Sequence, residues 1–430
     1  MTCLFMKLVT TMLDGHDVFR EIGYLQQALS QNGKPLGFMI SAGCPLSIRV
    51  NARVETGDNG ETWTATDPLI QDIAGLTKKI GEDLQSGDTA NPSVWDRVLS
   101  AFKEDGIEEP NIEVILSTVR GLRSVAGKGK VRGLSKTELE AVELEICKII
   151  SKEVNRELPD TSTPYHNLAI WVRSITRETP VHLFTTNYDL LTEQALEEEG
   201  APYFDGFIGS RKAFFDLAAV EDEQLIPARW TRLWKMHGSI NWRLGDHGTV
   251  TRGLQAESNK NYLIYPSHLK YDESRKMPFL AMMDRFKNFI LQQSSVLFMS
   301  GYSFGDEHIN NLLLEGLRSN PSAMVYGLLF GNMLDKDGNP DPKYQNARTL
   351  ALKTPNLALF SSDVGIISRR EKRWVAHDDN RGSLPVGIVH VPNAEDDGEQ
   401  FCECKIGDFL MFTDMLKNIS GPRDTDVEQR

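Results

Sequence analysis

Val181-His-Leu-Phe-Thr-Thr-Asn-Tyr-Asp189 is a short apolar and β-branched run that ends in polar residues, and a helical pattern starts where it stops. Such a run reads as a buried strand over 181–186, followed by a helix over 189–199. The same rhythm extends upstream. Apolar residues at 18, 19, 22, 25 and 29 keep nearly helical spacing, Gly33 and Pro35 stop that helix, and Gly37-Phe-Met-Ile-Ser41 reads as a first core strand.

Downstream the alternation continues with strands near 233–237 and 262–265, a helix at 278–292, a strand at 296–300 and a helix at 307–318. A strand at 323–330, a short helix at 344–352 and a strand at 356–361 complete it. Strands alternating with helices predict an α/β fold: a doubly wound, Rossmann-like, mostly parallel sheet with helices on both faces.

Two stretches interrupt this pattern. Residues 51–66 are polar and rich in Gly, Thr and Asn, which reads as a loop anchored by Trp63. From 67 to 160 the spacing predicts a helical insertion, broken at 87–92, 106–110 and 127–133. The last break, Gly127-Lys-Gly-Lys-Val-Arg-Gly133, has the composition of a phosphate loop. It lacks the GK[ST] ending and a preceding strand, so it reads as a linker.

A main domain over 1–364 is therefore expected, with a small C-terminal element over 365–430 that is either appended or oligomerising. That element holds the strand-like run 385–391, a last helix at 409–419 and a polar, frayed tail at 421–430.

The chain has 430 residues, 40% apolar and 25% charged, which is the composition of a packed globular protein. Its 47 Lys and Arg against 60 Asp and Glu leave a formal charge of −13, which opposes general attraction to nucleic acid. The densest basic cluster, Arg369-Arg-Glu-Lys-Arg373, reads as a solvated turn. Five scattered cysteines, with Cys402 and Cys404 one residue apart, do not form a zinc-ribbon spacing. With no secretory or membrane-length apolar run, a reducing cytoplasm is the expected compartment.

The carboxyl ends of parallel strands are where such a sheet gathers ligand groups. Ser41-Ala-Gly-Cys44 is a small-residue turn after the first strand, suited to the approach of backbone N–H groups to a diphosphate. Thr186 and Asn187 end the next strand; the Asn187 amide can orient a water or a ribose hydroxyl. Asp189 serves either the ligand or the following helix as its cap. Lys235-Met-His-Gly-Ser239 places His237 beside Gly238, as a candidate general base or a structural histidine. Gly301 and Ser303 suit a ribose or phosphate, and Asp306 again has a capping alternative.

Together these segments resemble the sirtuin family, whose Gly-Ala-Gly, Thr-Gln-Asn-x-Asp, His-Gly and Gly-x-Ser segments come in this order. The likeness spans roughly 37–361 and is greatest toward the divergent bacterial branch of anti-phage defence. It implies NAD as substrate, with Asn187 and His237 catalytic. It implies that Ser41, Ala42, Gly43, Cys44, Thr186, Asp189, Gly238, Gly301, Ser303 and Asp306 hold the dinucleotide. Ser41 stands where the family has its first glycine, and the two CxxC pairs that hold zinc in deacylases are missing, so no zinc is expected.

That departure shifts the expectation from protein deacylation toward NAD hydrolysis to ADP-ribose and nicotinamide. An NAD-dependent deacylase and an NAD or ADP-ribose sensor are the alternatives. The resemblance further implies a homo-oligomer and a HerA-type hexameric ATPase as partner.

Overall fold

The structure is a computed structural model that describes residues 15–56, 62–88, 90–245, 249–253, 261–263, 277–376, 385–396 and 399–419. The expected frayed tail at 421–430 lies outside them, as do the Trp63 side chain and the end of the strand expected at 262–265. The chain forms two compact units. One comprises Met1–Ser41, Ile170–His182 and Lys287–Arg430; the other comprises Ala42–Ala169 and Leu183–Phe286.

In the first unit, Leu36–Ile40, Val296–Ser300, Met324–Leu328 and Leu357–Phe360 pair in that order as parallel strands. The helices Glu307–Ser319 and Gln345–Lys353 form the crossovers between successive strands. Register aligns Phe38, Phe298 and Tyr326 across three strands. Their rings stack at 5.8 and 5.1 Å, and Phe412 of the helix Phe409–Ile419 packs on them. On the opposite face, a Cβ at Gly37 would sit 2.8 Å from the ring of Phe289, so a side chain there is replaced by close helix approach. Helices thus cover both faces, and the expected α/β class with a mainly parallel sheet is what the structure has.

Beyond Leu357–Phe360 the sheet turns antiparallel. Val364–Ile367, Arg370–Ala376, Glu399–Cys404 and Ile388–Asp396 add to it in succession. His16–Asp17 runs parallel to Arg370–Ala376 and leads into the helix Val18–Ser30, capped by the Asp17 carboxylate. The segment after 364 is therefore hydrogen-bonded to the parallel strands rather than hung behind them.

The second unit contains the helices Ile73–Leu84, Val94–Glu104, Ile112–Ala126 and Lys136–Val154. Each begins at a side-chain cap, from Asp72, Ser93, Asn111 and Ser135, and two are full capping boxes through Asp96 and Glu138. Buried Trp95, Phe102, Ile115, Leu116, Leu139 and Ile146 hold them together. The breaks match those expected, but two details differ. The first helix starts at Ile73, not at 67, and the 51–66 loop is a two-stranded hairpin of Arg49–Thr56 and Thr62–Pro68. In the first strand Val50, Ala52 and Val54 alternate with Arg49, Asn51, Arg53 and Glu55, but none of these residues is fully buried; an Arg53–Asp67 ion pair crosses the ladder at 2.9 Å. The 127–133 linker also forms a short hairpin, Lys130–Val131 with Leu134–Ser135.

The same unit holds Thr231–Lys235 parallel to Tyr203–Phe204, and a five-stranded antiparallel sheet around Gly238–Leu244. Trp242 anchors that sheet against Phe207 and Phe279 at 5.1 and 6.0 Å. Alternation over long segments did not reveal it, because most of its strands are two or three residues long.

Candidate active site

Every residue of Val181–Thr185 is buried, and the polar turn follows directly after Thr185. There the Thr185 hydroxyl accepts the N–H of Asn187 at 3.0 Å, and side chains alternate inward from Asn187 to Asp189. Thr186 and Tyr188 are half-buried. Thr231–Lys235 is equally buried and is followed by His237 and by Gly238 at φ 86°, a left-handed turn that favours glycine.

Backbone hydrogen bonds bring the two strand ends together. The Met236 N–H donates to Thr185 O at 2.9 Å, and the Ile240 N–H to Tyr188 O at 3.0 Å. The imidazole of His237 stands with its centroid 6.4 Å from the Tyr188 ring. Asn187 and His237, fifty residues apart in sequence, therefore stand at neighbouring strand ends, and both are buried.

Beneath them lies a charged layer that sequence reasoning missed. The ammonium of Lys235, 1% exposed, donates to the main-chain carbonyl of Asp189 and to Glu193 Oε1, the latter at 2.7 Å. Asp189 Oδ1 accepts the Leu191 N–H at 3.1 Å, at the start of the helix Leu191–Glu198. The Asn187 amide interacts with the Asp189 carboxyl and with the buried Tyr165 hydroxyl. Tyr165 is pushed well above the ordinary tyrosine range by burial, so it stays a neutral partner. A Lys closing a fully buried strand was the available signal, since a buried ammonium needs a carboxylate.

Burial raises Asp189 from 3.8 to about 6, with Lys235 and the Leu191 N–H opposing. Its contribution to stability is fully present below pH 3.8 and is lost as pH rises through 6. At neutral pH the charged carboxylate costs on the order of 2–3 kcal/mol. Asp189→Asn should therefore raise stability at pH 7.5, with the gain shrinking toward pH 4. Denaturant unfolding at the two pH values measures it, and an equal gain at both would contradict this origin.

Ser41 N–H donates to Ser300 O at 3.1 Å in the first unit, so the first turn and the Gly301 turn leave adjacent strand ends. Gly301 takes φ 67°, and Ser303 is exposed. Tyr302 Oη donates to Asn310 Oδ1 at 2.9 Å, and Asn310 Nδ2 donates to Phe304 O at 2.8 Å, which fixes this loop's shape. Asp306 caps the helix Glu307–Ser319 by accepting the His308 and Ile309 N–H groups. Ala42 and Gly43 are accessible, and buried Cys44 accepts from Ser47 at the start of a short 3-10 helix. Among the described residues no group of three or more His, Cys, Asp and Glu is arranged to hold a metal ion.

Residues 181–350 match the family model described as a SIR2-like domain, a span that includes Asn187, His237 and Gly301–Asn310 but not the first turn. No curated protein sequence matches the chain. Among solved structures, the chain is similar to a mutant Sir2 homologue in complex with ADP-ribose. Identity is 12%, coverage 71% of this chain and 83% of that one, and the TM-score 0.33. It is also similar to a structure that concerns the mechanism and regulation of Sir2 enzymes, at 10% identity, 77% and 95% coverage and a TM-score of 0.32.

Proposed function

We propose that this protein hydrolyses NAD to ADP-ribose and nicotinamide. The observation that carries the reading is the fastening of Asn187 and His237 at neighbouring strand ends, over a buried layer that fixes the Asn187 amide. The SIR2-like match over the same residues supports it.

In the reaction the bond between C1′ of the ribose and the nicotinamide nitrogen breaks, and the nitrogen keeps the electron pair. The ribose passes through an oxocarbenium-like state, as in glycoside cleavage. Water then forms the new C1′–O bond and gives up one proton. Asn187 holds the water or the ribose hydroxyls in line, a positional contribution. His237 accepts the proton as general base. The sequence resemblance gives the dinucleotide-holding role to the small-residue turn Ser41–Cys44, Thr186, Asp189, Gly238, Gly301, Ser303 and Asp306. A cytoplasmic homo-oligomer acting in anti-phage defence with a HerA-type ATPase is the setting that the sequence resemblance adds.

The test is incubation of the purified protein with NAD, with and without an acetylated peptide, and product identification by mass spectrometry. ADP-ribose and nicotinamide without peptide support hydrolysis. Nicotinamide released only with peptide overturns it in favour of deacylation. Binding without turnover, with a HerA-type ATPase added as well, overturns it in favour of a sensor.

A further inference from the structure

A cleft of about 410 Å³ lies in the first unit, lined by His16, Arg20, Glu21, Arg370 and Lys372. It adjoins a second of the same size that shares Arg20 and Glu21 and continues over Tyr24, Met324, Tyr326 and Phe360. The basic run expected to be a solvated turn contributes two of its charges here. Strand alternation sorts that run. The Glu371 carboxylate turns to the other face, where Arg348 binds it with two hydrogen bonds of 2.6 and 3.3 Å. Arg373 lies over the Phe401 ring at 5.6 Å. Arg370 and Lys372 remain on the cleft side.

Opposite them, the first turn of the helix Val18–Ser30 presents Arg20. Among the described lining residues Glu21 is the one carboxylate, and Arg20 binds it at 2.9 and 3.0 Å. The His16 Nε2–H donates to the Arg370 carbonyl, 2.9 Å away, which ties the strand His16–Asp17 to the cleft wall. Arg20, Arg370 and Lys372 thus bring three cationic side chains to the described lining of one cleft, in a chain of net charge −13. The adjoining cleft supplies flat apolar surface instead: Tyr24 is 52% exposed, and the Tyr326 and Phe360 rings meet edge to face at 6.1 Å.

From this juxtaposition we infer a second ligand site, separate from Asn187 and His237, that binds a nucleoside phosphate. Its phosphate lies against Arg20, Arg370 and Lys372, and its base lies against Tyr24 and Tyr326. Charge-assisted bonds from arginine to phosphate and stacking on aromatic faces are the two interactions such a ligand requires. The inference does not depend on the hydrolase reading.

The test is amide hydrogen exchange of the full chain with ADP, adenosine or inorganic phosphate as probe. ADP should slow exchange in peptides covering 15–24 and 366–374, whereas protection near 181–190 reports only the other site. Arg370→Ala/Lys372→Ala should weaken the protecting affinity on the order of tenfold to a hundredfold. Tyr24→Ala should weaken ADP and leave phosphate unchanged. Arg369→Ala, from the same run but off the cleft, should change neither. No protection at millimolar ADP, or protection undiminished in the double variant, overturns the site. Equal protection by phosphate and ADP at the same concentration overturns the nucleoside assignment.

Discussion

His237→Ala and Asn187→Ala should each reduce nicotinamide release from NAD by about 10²-fold or more, the range of a lost general base or a lost positioning group. The two variants test different parts of the site. His237 is buried beside the Tyr188 ring, and its removal takes away the proton acceptor while the Gly238 turn and the Tyr188–Ile240 hydrogen bond stay in place. Asn187 also interacts with Asp189 and Tyr165, so its loss leaves buried polar partners less satisfied. Asn187→Asp keeps the shape and exchanges the amide for a charge next to Asp189; activity should be lost there too, without a cavity. Nicotinamide release assayed at saturating NAD, with thermal unfolding as the control, decides the matter. Turnover retained in both alanine variants would remove the proposed chemistry from these residues.

Lys235→Met should destabilise the fold by about 3–5 kcal/mol, the range for leaving one partner of a buried ion pair alone. Lys235 is 1% exposed, and Glu193, also buried, stands 2.7 Å from its ammonium. The same ammonium holds the Asp189 carbonyl, so its removal also frees the segment that carries Asn187. Loss of activity in this variant should therefore exceed what the unfolded fraction explains. Lys235→Met/Glu193→Met removes both charges, and its unfolding free energy should lie well above that expected from summing the two single changes. Urea unfolding of the three variants measures this cycle. A Lys235→Met protein within about 1 kcal/mol of the parent would show that the pair is not buried as described.

Local signals made much of the fold legible. The helices of the 67–160 stretch are written in caps and punctuation, Ser93 with Asp96, Ser135 with Glu138, and the breaks at Gly106 and Gly127. Val296–Ser300 is an apolar run closed by a serine, and its bounds in the structure are those expected. The Arg49–Pro68 hairpin was missed although Val50, Ala52 and Val54 alternate with polar residues, because the Gly, Thr and Asn content of 51–66 reads as a loop.

Asn187, His237 and Gly238 could be placed just after buried strands from the sequence, because apolar runs precede them. The Lys235–Glu193 pair could not be placed in this way, since an ion pair depends on which residues folding brings within about 4 Å, and a span of 42 residues separates these two. The basic run 369–373 shows the same limit. Its charges can be counted along the chain, but the Arg348–Glu371 pair and the strand register decide which of them face a cleft.

The sequence by itself determined most of the long strands and helices, and which turns carry small or polar residues, because hydrophobic period, caps and glycine act within a few residues. The tertiary structure alone decided that Asn187 and His237 share a buried, charge-braced corner and that Arg370 and Lys372 meet Arg20 across a cleft. Those arrangements depend on hydrogen-bond register and ion pairing between residues far apart in the chain, for which local propensity carries no information.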